Sequence, residues 1–96
     1  ACACTGLGEY VLKSLTSFLV VELMGQGMSP EKACKSALER IKKKYMDKNP
    51  DLRFQVGLVA INVEGAYAGY SILPGYQYAI YQNNENVLID APYLTK

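Results

Sequence analysis

The chain contains no histidine and no tryptophan. Without histidine, nucleophile–imidazole catalysis and imidazole metal sites both fall away. Cysteine is scarce and odd in number, at Cys2, Cys4 and Cys34, with no Cys-x-x-Cys spacing. A zinc knuckle is therefore not expected, and nothing implies a metal or a cofactor. Cys2 and Cys4 stand two apart, so on a strand they share a face and are poorly placed to bond each other. All three are expected as free thiols packed as small hydrophobes. Charge excess is also missing: ten Lys and Arg against nine Asp and Glu leave a net +1. That gives no electrostatic footprint for nucleic acid or a membrane surface. The one basic run, Lys42-Lys43-Lys44 with Lys48, reads as solvated charge at a helix C-terminus. No apolar run reaches the ~18 residues of a spanning helix. Neither a leader pattern nor a starting methionine is present, and the chain opens inside what reads as a strand. It is expected to be a processed or truncated piece of a longer protein.

What is there fits one ordered domain at most. Half of the 96 residues are hydrophobic and a fifth are charged, an ordinary globular balance. Residues 1–4 read as the tail of a small-residue strand. From Leu7 to about Gly25 the positions Val11, Leu12, Leu15, Phe18, Leu19 and Leu23 follow helical spacing, and Gly25-Gln26-Gly27 stops that helix. Ser29-Pro30-Glu31 starts a second helix with a capping serine, a first-turn proline and an acid. Its inner face is Ala33, Cys34, Ala37, Leu38, Ile41 and Tyr45, and it ends near Asp47. The second half changes period. Phe54–Val63 and Ala66–Ile72 read as strands joined at Val63-Glu64-Gly65, and Tyr76–Gln82 follows the turn Leu73-Pro74-Gly75. Asn83–Asn86 is a polar turn before a short strand at Val87–Ile89. The class is α+β: two helices, then an antiparallel β-meander.

In the strand from Phe54, Val56, Leu58 and Ala60 take one face while Gly57, Val59 and Ile61 take the other. Both faces are apolar, and two helices cover only one. Exposed apolar area costs ~25 cal/mol per Å², so a second layer, expected from chain beyond these residues, should cover the other face.

The motif with chemical content is Thr5-Gly6-Leu7-Gly8-Glu9, where strand meets helix. Two readings stand. A threonine hydroxyl and a glycine N–H at a helix mouth suit an anion, or the oxyanion of amide hydrolysis. Alternatively, Thr5 merely caps the helix and the glycines permit a tight turn, as in a non-catalytic interaction domain. Glu9 reads as a helix-terminal charge. Glu64 and Asp90 read as solvated, and Ser14, Thr16 and Ser17 as helix-surface hydroxyls. Tyr76 and Tyr78 suit sheet packing better than stacking on a sugar or a base.

Several stretches together resemble one family. Ala3-Cys4-Thr5-Gly6-Leu7-Gly8-Glu9 is similar to the Thr-Gly-x-Gly segment of the glycosylasparaginases, or aspartylglucosaminidases. These are N-terminal-nucleophile hydrolases related to isoaspartyl peptidases and plant-type asparaginases. Val20–Met24 followed by Gly27, Pro30 and Ala33-Cys34 resembles their helix–turn–helix. Val56–Asn62 with Gly65-Ala66-Tyr67 resembles their hairpin. The resemblance implies that residues 1–96 are a single incomplete domain, the C-terminal portion of a catalytic β subunit in a four-layer αββα sandwich. It implies a precursor that cuts itself before a threonine whose own amine acts as base. That threonine, and the arginine and aspartate that would hold an asparagine substrate, have no counterpart here, since Arg40 and Arg53 are misplaced for the role. Thr5 and Gly6 map onto the oxyanion donors, and Gly8 onto a position beside the substrate. The implied partners are an α subunit, the rest of the β subunit in an (αβ)2 assembly, and a glycoasparagine substrate. The implied compartment is periplasmic or lysosomal. Lysosomal relatives pair a cysteine with the one resembling Cys34, but Tyr67–Ile72 contains none, so that disulfide is not expected.

Overall fold

The computed structural model describes residues 1–49 and 51–96. A strand β1 (Cys2–Gly6) leads into helices α1 (Gly8–Ser14), α2 (Thr16–Gly25) and α3 (Pro30–Ile41), then into four strands, β2 (Val56–Ile61), β3 (Tyr67–Ser71), β4 (Gln77–Gln82) and β5 (Glu85–Asp90). The strands form a three-stranded antiparallel sheet of order β1-β2-β3 and a separate β4-β5 hairpin. The expected α+β order holds. The start of the expected meander does too: β2 and β3 pair from Ile61↔Tyr67 to Gly57↔Ser71.

The helix that opens at Ser29 follows its sequence signals. The Ser29 hydroxyl accepts the Lys32 N–H, Pro30 is the first helical residue and Glu31 sits in the first turn. Ala33, Cys34, Ala37, Leu38 and Ile41 are buried on its inner face. They pack against Val56, Leu58, Ala60 and Tyr70 of the sheet and Ile72 just after β3, with Val20 of α2 closing the same core. Full burial of each large aliphatic chain contributes roughly 1.5–3 kcal/mol. A wider π-helical turn over Lys42–Met46 finishes the element just before Asp47.

The first helix departs from expectation. It breaks at Leu15, which adopts φ 46° and ψ 49° and so separates α1 from α2. Glycine normally takes that conformation, and a leucine gives no warning of it in sequence. The break rotates the apolar stripe, and Leu12, Leu15, Phe18 and Val21 become exposed. Thr16, read as a surface hydroxyl, is buried, and its hydroxyl donates to the Val11 carbonyl at 3.2 Å across the break.

The second face of the sheet carries Ala3 and Thr5 of β1, Gly57, Val59 and Ile61 of β2, and Tyr67, Gly69 and Ser71 of β3, as the pairing register dictates. Part of its cover comes from this chain itself, which corrects the expectation. The β4-β5 hairpin lays the Tyr76 ring on Gly57 and the Tyr78 ring on Gly69, where neither glycine has room for a Cβ. The tyrosines thus serve as sheet packing. Between the layers lies an open cavity of about 600 Å³, with Ala3, Val59, Ile61, Tyr67 and Ile80 among its walls.

Candidate functional site

Strand β1 runs two residues further than its small-residue tail suggests, so Thr5 and Gly6 belong to the sheet. Thr5 pairs with Gly57 and Gly6 with Val56. Ala1 exchanges both backbone hydrogen bonds with Ile61, at 2.8 and 3.0 Å. Antiparallel pairing alternates, so Ala3 and Thr5 also turn their backbone groups toward β2, while Cys2, Cys4 and Gly6 turn theirs away. β1 is the edge of its sheet. The Gly6 N–H therefore points off an open edge and has no hydrogen-bond partner among the described residues. Beside it, the Thr5 side chain stands on the face opposite the helices and is exposed. A hydroxyl and a free N–H thus belong to consecutive residues at one corner of the sheet.

The cap reading of Thr5 is overturned. The residue at the N-cap of α1 is Leu7, no side chain among the described residues caps that helix, and Thr5 lies inside β1. The helix-mouth picture also changes, because α1 has only seven residues and the donors come from a strand edge instead. Gly6 is required by its backbone: φ is +123°, which other residues rarely adopt, and a Cβ would strike the Gln55 carbonyl. Gly8, two residues on, is the exposed first residue of α1, and nothing lies where its Cβ would be.

Leu7 is the pivot between strand and helix. Its N–H donates to the Gln55 carbonyl at 3.1 Å, and its own carbonyl accepts from Tyr10 and Val11 at 3.2 and 3.3 Å. Tyr10 then stacks on Phe54 at 4.4 Å between ring centroids and leans on Tyr45 at 4.5 Å, which anchors α1 behind the corner. Glu9 pairs with Lys13 one turn on, both well exposed, so it takes no part in the corner.

Beneath β1, on the helix face, lie the three free thiols. The neighbouring Cys34 sulfur holds the Cys2 thiol protonated, and burial adds to this, pushing it up to about 12. Cys4 is pushed up by Cys2 beside it and by burial, while Cys34 is held below the ordinary thiol value by the proton Cys2 shares with it. These thiols face away from the Thr5 side, so they pack and do not attack. Burial also raises the phenols of Tyr76 and Tyr78.

Sequence reasoning missed Gln55. Its side-chain amide donates to the Leu73 carbonyl at 2.7 Å and accepts the Leu73 N–H at 2.8 Å. A lone glutamine ahead of an apolar run carries no signal of such a bond pair.

A sequence profile described as asparaginase matches residues 1–89. The chain is 42% identical over 89 residues to the N(4)-(Beta-N-acetylglucosaminyl)-L-asparaginase of Elizabethkingia miricola, an alignment covering 92% of this chain and 26% of that protein. It is 35% identical over 85 residues to the Probable isoaspartyl peptidase/L-asparaginase 3 of Arabidopsis thaliana, covering 88% and 22%. It is 32% identical over 94 residues to the N(4)-(Beta-N-acetylglucosaminyl)-L-asparaginase of Rattus norvegicus, covering 94% and 26%. The chain spans about a quarter of the length of these curated relatives. A match along nearly its whole length places the chain in the asparaginase family, with the glycosylasparaginases and isoaspartyl peptidases.

Proposed function

We propose that these residues are the C-terminal part of the catalytic β subunit of an amidohydrolase, and that the whole enzyme cleaves the amide of N4-(β-N-acetylglucosaminyl)-L-asparagine. The observation that supports it most is the corner at the free edge of β1. There the exposed Thr5 hydroxyl and the Gly6 N–H, unpartnered among the described residues, belong to adjacent residues, in a chain 42% identical to a relative named for that activity.

Amide hydrolysis needs such a pair. The nucleophile is an N-terminal threonine outside these 96 residues, freed by self-cleavage of a precursor. Its α-amine takes the hydroxyl proton and its oxygen attacks the side-chain amide carbon. The carbonyl electrons move onto oxygen, and Thr5 Oγ–H and Gly6 N–H donate to the oxyanion. The amine leaves with the proton, an ester remains on the threonine, and water hydrolyses it through a second oxyanion at the same place. Preorganised donors of this kind are worth about 2.7–4 kcal/mol each. The bare Cα of Gly8 leaves room beside the substrate. The enzyme assembles as (αβ)2, with an α subunit and the remainder of the β subunit as partners, in a periplasmic or lysosomal compartment. It uses no cofactor.

The Arabidopsis relative supports a second reading, an isoaspartyl peptidase or L-asparaginase with the same donor pair. The test is an assay of the complete protein on N-acetylglucosaminyl-asparagine, a β-aspartyl dipeptide and free asparagine. Preferred hydrolysis of the first supports the primary reading, and preference for the dipeptide or asparagine moves the assignment to the second. Hydrolysis of none overturns both.

A further inference from the structure

We propose that Gln55 is a positioning residue for the oxyanion pair, clamping the Gly6–Leu7 backbone to the turn that carries Tyr76. This inference rests on the amidohydrolase reading. Gln55 lies just before β2 and is half-buried. Its side-chain amide acts as an extra peptide unit, bonded in both directions to Leu73, at 2.7 and 2.8 Å. Two bonds fix the tilt of the amide plane as well as its place. The main-chain carbonyl of the same residue accepts the Leu7 N–H at 3.1 Å and lies so close to Gly6 that a Cβ there has no room. One residue therefore grips two segments far apart in sequence, Gly6–Leu7 through its backbone and Leu73, 18 positions after it, through its side chain.

Both segments reach the corner. The direction of the Gly6 N–H is set by the peptides on either side: Thr5 is paired to Gly57, and Leu7 is bonded to Gln55. If Gln55 shifts, Leu7 shifts with it and the free N–H swings. At the other end, the Leu73 carbonyl also accepts the Ser71 hydroxyl at 2.7 Å, so the start of the turn is held twice. Three residues later the Tyr76 ring lies on Gly57, the cross-strand partner of Thr5. The clamp thus sets the N–H on one side of Thr5 and the aromatic wall on the other. Among ordinary side chains of this reach, glutamine alone carries a donor and an acceptor in one plane. Glutamate lacks the donor and leucine lacks both.

The experiment measures kcat and KM of the complete enzyme on N-acetylglucosaminyl-asparagine for wild type, Gln55→Leu, Gln55→Glu, Thr5→Val and Thr5→Val with Gln55→Leu. Misplacing a reacting group by about 1 Å costs on the order of a hundredfold. Gln55→Leu is therefore expected to lower kcat about ten- to a hundredfold with KM within about twofold. Combined with Thr5→Val, the loss from Gln55→Leu should shrink, since residues acting as a unit are not additive. Gln55→Glu should recover relative to wild type as pH falls and its carboxyl regains the proton that Leu73 needs. This pH readout decides the matter if Gln55→Leu does not accumulate as folded protein. Wild-type kcat in Gln55→Leu, losses that simply multiply with Thr5→Val, or a Gln55→Glu deficit that ignores pH would each overturn the clamp. A wild-type enzyme inert on all three amides overturns the amidohydrolase reading and the clamp together, before any variant is compared.

Discussion

The two faces of the β1-β2-β3 sheet are built from the same strands and do opposite work. On the helix face, Val56, Leu58, Ala60 and Tyr70 are buried among the side chains of α3. On the other face the register alternates small with large. Gly57 and Gly69 accept tyrosine rings, Ile61 stays 48% exposed beside a cavity, and Thr5 is exposed at the strand edge. The first face is filled for stability. The second is left partly empty, and an edge residue there has room for a ligand. Dense packing tolerates no such room, so the division between faces lets one small sheet serve both ends.

The sharpest break of this comparison is Leu58→Ala. Leu58 is fully buried, and its truncation should cost about 2–5 kcal/mol, seen as a lower denaturation midpoint of the complete protein. Turnover per folded molecule should be unaffected. Thr5→Val should do the reverse, lowering turnover ten- to a thousandfold with an unchanged midpoint. An equal rate for the valine enzyme would remove Thr5 from the oxyanion role. Gly69→Ala tests the seat of the β4-β5 hairpin: its Cβ would clash with the Tyr78 ring, so the hairpin must shift at about 1–3 kcal/mol, read by calorimetry. The smallest effect lies under β1. The folded state raises the Cys2 thiol to about 12, so the native protein keeps a proton that the unfolded chain releases earlier. Stability from this source is full below the ordinary thiol value and is lost as pH rises from there toward 12. Urea midpoints between pH 8 and 10 should fall slightly more for wild type than for Cys2→Ala.

How much of this was legible in the sequence follows from where local chemistry decided the structure. The α3 helix was readable because a cap, a proline and a 3.6-residue apolar period agreed with the tertiary outcome. Thr5 and Gly6 were readable as a pair, yet their setting was not. Whether a strand ends at residue 4 or 6 depends on its partner β2, which lies some fifty residues away in the chain. The break at Leu15 was invisible, because a buried Thr16 and its bond to Val11 enforce a conformation that leucine does not seek. The cover on the second face is not legible, because the period of β4 says which residues alternate and not where the hairpin folds back. Gln55 had no local signature, since its partner is a backbone unit on another strand connection.

Among the described residues nothing pairs with the outer edge of β1. An unpaired strand edge is a template on which any extended segment can zip up, rung by rung. The outward rungs here belong to Cys2, Cys4 and Gly6, and the last of them is the proposed oxyanion donor. A visiting strand that docked through the full length of this edge would fill the rung at Gly6 and silence it. Catalysis thus sets a limit on assembly: whatever pairs with β1 must stop short of residue 6, so the same open ladder marks where a neighbour can attach and where it must end.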